Sequence, residues 1–111
     1  MLEPVIAVVR SAGGVFVADE VQSGFARTGS RMWGYQRHGV IPDIISLGKP
    51  MGNGYPVAGI ALRPELASRF GYDMRYFNTF GGNTVAMAAA NATLEVVQSE
   101  NLMANANQVG A

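Results

Sequence analysis

Two short apolar runs, Val15-Phe16-Val17-Ala18 and Ile44-Ile45-Ser46-Leu47, constrain the fold of this chain more than any other feature. Each is continuous rather than alternating, as expected of strands covered on both faces of a parallel sheet. Each also breaks off sharply, the first at Asp19-Glu20-Val21-Gln22 and the second at Gly48-Lys49-Pro50-Met51-Gly52-Asn53-Gly54. Between them, residues 20–31 read as a polar, glycine-containing loop and Met32–Arg37 as a short helix stopped by His38-Gly39. Pro42 opens the approach to the second strand, Asp43–Leu47. Strands that alternate with helices predict an α/β segment with a mostly parallel sheet and flanking helices.

The remaining sequence fits that scheme. Residues 2–12 resemble the last turns of a helix, with Gly13-Gly14 as a glycine stop. Val57–Leu62 is a third strand candidate, and Pro64 opens a short helix to Phe70 with proline in the tolerated first turn. Residues 71–82 are loop-like. From Thr84 an alanine-rich helix runs to about Gln98, and Asn101 caps a last helix that continues to Ala111. No internal repeat or low-complexity tract interrupts the pattern.

Composition narrows the function classes. Lys+Arg and Asp+Glu number 8 each, which leaves no electrostatic footprint for nucleic acid or an anionic membrane. The charged fraction, 14%, is low against the ~25% usual for soluble domains, so part of the surface is expected to be covered by more protein. There is no cysteine, which excludes disulfides and Cys-based metal sites and fits a reducing cytoplasm. No apolar run approaches the ~18 residues of a membrane span. A soluble, cytoplasmic chain is expected, with no metal, no nucleic acid and no membrane partner.

The chemistry lies at the two strand ends. A lysine and an acid, each presented at the C-terminal end of a strand, are what pyridoxal 5'-phosphate (PLP) requires: the lysine holds the aldehyde as a Schiff base, and the acid keeps the ring nitrogen protonated. Lys49 and Asp19 are the candidate catalytic and cofactor-binding residues. Either alone is ordinary, Asp19 as a turn cap and Lys49 as a surface lysine. Together, with strand-like sequence before each, they point to catalysis. Pro50 is expected to hold Lys49 in extended backbone. Val21 can lie flat on a ring face and Gln22 can donate to the ring's phenolic oxygen. Thr79, with Gly81-Gly82 before the long helix, offers a hydroxyl and free amides suited to a phosphate.

Other residues read as structural. His38, the only histidine, sits at a helix end as a cap. Glu20 and Arg27 are expected to pair and shape the loop, and Asn53 to take a positive-φ turn. Trp33, Tyr35 and Tyr55 are packing or site-lining aromatics.

Asp19–Gly29 (Asp-Glu-Val-Gln-Ser-Gly-Phe-Ala-Arg-Thr-Gly) resembles the Asp-containing signature of class III, or ω-type, aminotransferases. Pro42–Lys49 is similar to that family's Schiff-base lysine motif, and Asn78–Asn83 to its downstream threonine loop. Gly48–Gly54 and Met74–Thr79 most resemble the branch of alanine–glyoxylate aminotransferase 2-like proteins and ethanolamine-phosphate phospho-lyases. The resemblance implies fold-type I architecture and a homodimer in which Thr79 reaches the phosphate of the neighbouring subunit's cofactor. It implies small-molecule substrates, an amino donor and a keto or aldehyde acceptor. It further implies that residues 1–111 are part of a PLP-binding large domain, cut at both ends. Thr84 stands where the family usually has proline.

Three functions follow as expectations. The first is the catalytic segment of a PLP-dependent aminotransferase, acting through Lys49. The second is a phospho-lyase working on an amino-alcohol phosphate such as ethanolamine phosphate. The third is an inert piece, because an isolated chain with missing sheet neighbours buries little surface. A nucleotide-binding module is disfavoured, since Gly52-Asn53-Gly54 matches neither phosphate-loop pattern.

Overall fold

The computed structural model describes residues 2–110. Helix α1 (Glu3–Ser11) leads to strand β1 (Val17–Asp19), a 3-10 helix (Gly34–His38), β2 (Ile44–Leu47), a second 3-10 turn (Lys49–Met51) and β3 (Gly59–Leu62). Three helices follow: α2 (Pro64–Asp73), α3 (Thr84–Ser99) and α4 (Leu102–Val109). The expected elements are present with shifted bounds: β1 starts two residues later than Val15 and takes in Asp19, β3 starts at Gly59 rather than Val57, and α2 runs three residues further.

The described strands form one sheet in the order β1-β2-β3. β1 and β2 are parallel, pairing Val17 with Ile44, Ala18 with Ile45 and Asp19 with Ser46. β3 is antiparallel to β2, with Leu47 opposite Gly59 and Ile44 opposite Leu62. The sheet is therefore mixed, and the expectation of a mostly parallel one holds only for its first pair. Residues 48–58 explain the difference: the connection is too short for the dozen or more residues of a parallel crossover.

Local chemistry sets the helix ends. Pro4 occupies the first turn of α1, where its missing N–H costs nothing. Gly13, at φ +80°, ends the helix, and the Gly14 amide donates back to the Val9 carbonyl at 2.9 Å. Asn83 caps α3 by accepting the Ala86 amide at 2.9 Å. Asn101 precedes α4 in a left-handed conformation, with no side-chain cap bond. The alanine-rich α3 packs on α4 and on the turn that carries Lys49.

The described residues form a thin plate, 41 × 40 × 17 Å, with a radius of gyration of 16.0 Å against about 13 Å for a compact chain of this length. Its buried apolar residues are Ile6, Ala18, Ala26, Val40 and Ala86. β1 is thus not covered on both faces as its composition suggested: Ala18 is buried, but Val17 and Asp19 are exposed. No layer covers that face of the sheet among the described residues.

An ionic cluster that the sequence did not signal fastens the plate. Buried Asp43 accepts from the Phe16 amide at 2.8 Å, from Arg10 at 3.0 Å and from Arg63 at 2.8 Å. It thereby ties α1 and the approach to β1 to the one end of the β2–β3 pair where β2 begins and β3 stops. The Phe16 amide first, and the Arg10 and Arg63 guanidiniums after it, hold the Asp43 carboxyl below its ordinary value of 3.8, against the opposing effect of burial. Its stabilisation is therefore complete above about pH 4 and is lost as pH falls through the lower folded value. Asp43→Asn is expected to destabilise the fold by about 2 kcal/mol at pH 7. In urea titrations of wild type and variant, that gap narrows as pH falls below about 4.

Candidate active site

The parallel register of β1 and β2 builds the site. Because the strands run the same way, their C-terminal ends open on the same edge of the sheet. β1 ends at Asp19, directly opposite Ser46 on β2. The ladder runs one step further, the Glu20 amide donating to the Ser46 carbonyl at 3.0 Å. Lys49 follows Ser46 by three residues, a stretch of at most about 11 Å.

Asp19 is held on one side only. Its Oδ1 accepts the Val21 amide at 3.1 Å and the Ser46 hydroxyl at 2.9 Å. Oδ2 has no hydrogen-bond partner among the described residues, and the side chain is exposed. One carboxylate oxygen is anchored and the other is presented outward.

Val21 meets the lysine turn. A Cβ placed on Gly48 would lie 3.6 Å from Val21 Cγ2 and 3.9 Å from Ala58 Cβ, so these side chains flank the residue just before Lys49. Lys49 itself is not extended, contrary to the expectation from Pro50. It has φ +25° and opens a 3-10 turn closed by the Met51 amide donating to the Gly48 carbonyl at 2.9 Å. That hydrogen bond overrides the steric preference of a residue before proline. A non-glycine residue at positive φ is costly and characteristic of functional turns. Lys49 is exposed, and no described carboxylate pairs with it, Asp19 included. It is also the only lysine in the sequence.

Glu20 stiffens the corner. It is 2% exposed and accepts from Ser23 Oγ at 2.8 Å and from the Gly34 and Tyr35 amides at 2.7 Å each. These bonds fasten the loop after β1 to the 3-10 helix at Gly34–His38. The expected Glu20–Arg27 pair does not form. Glu20 is spent on those donors, while Arg27 is exposed beside Pro50 and the α3–α4 pair. Asn53 takes φ +46° as expected, while His38 is the last residue of its helix and left-handed Gly39 is the cap in its place.

The other predicted site residues are less tightly gathered. Gln22 follows Val21 and is exposed. Thr79 lies in an exposed loop before α3, and it does not line the 280 Å³ cleft to which Asp19 contributes. The amides expected to be free there are largely engaged: those of Phe80 and Gly81 donate to Asn78 Oδ1 at 3.1 and 2.9 Å. The loop instead forms a 640 Å³ concavity with Tyr55–Ala58, the segment leading into β3.

An amine, a carboxylate oxygen without a hydrogen-bond partner among the described residues and a branched apolar side chain stand at one sheet edge, group types that a pyridoxal phosphate aldehyde, ring nitrogen and ring face would each take. Among the described residues no group of three His, Asp or Glu side chains could hold a metal, and no helix is long and apolar enough to cross a membrane.

Comparison with known proteins places the chain in a family. The pattern that defines class-III aminotransferases matches residues 1–111, and the chain belongs to that family. It is 48% identical over 109 residues to human mitochondrial alanine–glyoxylate aminotransferase 2, covering 98% of this chain and 21% of that one. An Arthrobacter phospholyase solved with phosphoethanolamine superposes with a TM-score of 0.95 at 50% identity, covering 98% of this chain and 26% of that one. The ornithine aminotransferase of Toxoplasma gondii, whose active site holds PLP at partial occupancy, superposes at 0.87 with 32% identity, covering 98% and 25%. The chain thus spans about a fifth to a quarter of the length of these relatives. The α/β, fold-type I architecture expected from the sequence is the one these neighbours share.

Proposed function

We propose that this chain is the catalytic segment of a PLP-dependent aminotransferase, with Lys49 and Asp19 holding opposite ends of the cofactor. The observation that carries the reading is the Asp19–Ser46 register, which sets a half-free carboxylate and the chain's one lysine at the same sheet edge. When bound, the cofactor supplies an aldehyde for the amino group and a protonated ring that draws electrons from the adjoining carbon.

The protein's own residues do the rest. Lys49 Nζ holds the aldehyde end and, when released, moves a proton to or from the substrate carbon. Asp19 Oδ2 would hold the proton on the ring nitrogen, Val21 would cover a ring face, and the Gln22 amide would donate to the ring oxygen. Thr79 Oγ1 donates to the phosphate of the neighbouring subunit's cofactor in a homodimer, a role that suits a hydroxyl standing apart from Asp19. The substrates are a small amino donor and a keto or aldehyde acceptor.

A phospho-lyase acting on an amino-alcohol phosphate is the second reading. The likeness to the phosphoethanolamine-bound phospholyase favours it. Two assays on the full-length protein loaded with PLP separate the readings. Amino transfer from alanine to glyoxylate, with no phosphate released from ethanolamine phosphate, is the expected result. Phosphate release without amino transfer would establish the lyase instead.

A further inference from the structure

We infer that Ser46 is a positioning residue for the cofactor-binding acid: its hydroxyl occupies one oxygen of Asp19 and so aims the other at the ring. The inference rests on the site reading above and adds a residue to it.

Three observations converge on Ser46. It lies on β2, the central strand, paired with Asp19 on one side and Ile60 on the other, so its backbone is fixed from both neighbours. Its hydroxyl donates to Asp19 Oδ1 at 2.9 Å, and its carbonyl receives the Glu20 amide at 3.0 Å. The Val21 amide donates to the same Oδ1 at 3.1 Å, while Oδ2 has no partner among the described residues.

Physical chemistry turns this into a role. A carboxylate at a strand end can rotate about its Cα–Cβ and Cβ–Cγ bonds, and an exposed one samples several orientations. Two donors converging on one oxygen select a single orientation. The Val21 amide comes from the chain immediately following Asp19, so it constrains the carboxylate only locally. The Ser46 hydroxyl reaches across from the strand that carries Lys49, and it alone ties the acid's direction to the lysine's strand. Hydrogen bonds to charged groups are the stronger class, so removing this one has a measurable effect.

Two variants of nearly equal shape isolate the hydroxyl. Ser46→Thr keeps it and Ser46→Val removes it, and both β-branched residues suit a strand. Full-length wild type and variants are reconstituted with PLP labelled with nitrogen-15 in the ring, and the ring-nitrogen shift is followed against pH alongside cofactor affinity. Ser46→Thr is expected to match wild type. Ser46→Val is expected to bind about tenfold more weakly and to lose the ring proton about one pH unit lower.

Equal affinity and equal protonation midpoints in the two variants would overturn the inference while leaving the site reading intact. So would a lower melting temperature of cofactor-free Ser46→Val with an unmoved midpoint, which marks a merely structural role. If wild type takes up no cofactor, the site reading fails and the Ser46 role falls with it.

Discussion

Lys49→Ala is expected to abolish covalent retention of the cofactor after borohydride reduction and to lower turnover by about 10⁴-fold, the upper end of what a positioned proton-transfer group supplies. The expectation is sharp because the sequence contains no second lysine to substitute. The turn around it has φ +25° at Lys49 and Pro50 after it, with Val21 and Ala58 flanking the preceding glycine. Alanine in that turn changes no hydrogen bond of the described fold, since the lysine side chain makes none there. The melting temperature of the cofactor-free protein is therefore expected to stay near that of wild type. Mass spectrometry of the reduced, digested protein checks the retention, and a steady-state assay checks the rate.

Asp19→Asn is the second large effect. A carboxylate about 4 Å from a ring nitrogen, at an effective dielectric near 20, favours the protonated ring by about 4 kcal/mol. That equals about three pKa units, so the neutral amide leaves the ring largely unprotonated at pH 7 and slows turnover by about 10³-fold. Asparagine is close in shape, and its Oδ1 can still accept from Val21 and Ser46, so fold stability is expected to be retained. A pH–rate profile checks the claim, because the variant regains activity toward low pH, where solvent protonates the ring.

Much of the frame is legible in the sequence, for physical reasons that differ by element. The apolar runs ending in Ala18 and Leu47 give β1 and β2 because continuous β-branched stretches have few other uses. The direction of β3 is not written in Val57–Leu62, since its apolar pattern is the same either way. It is written in the shortness of residues 48–58. Lys49 and Asp19 stand out because each comes where an apolar run ends, whereas Ser46 is invisible until register sets its hydroxyl on a carboxylate 27 residues away. Asp43 and Glu20 escape for the same reason. Their arginine and amide partners come from other elements, and nothing local to either acid announces them. Glu20 and Arg27 share one loop, but three other donors claim the Glu20 carboxylate.

The exposed aromatic run also follows from how little of the plate is buried. Tyr72 is 91% exposed, Phe77 86% and Phe80 79%, between the last turn of α2 and the Thr79 loop. Such a surface matches the low charged fraction of the sequence.

The most direct measurement is a crystal structure of the full-length protein after PLP loading and borohydride reduction. The account predicts continuous density from Lys49 Nζ into the cofactor, with the ring nitrogen at hydrogen-bonding distance from the Asp19 carboxylate. Density attached to the terminal amine, or a ring nitrogen turned away from Asp19, would contradict it.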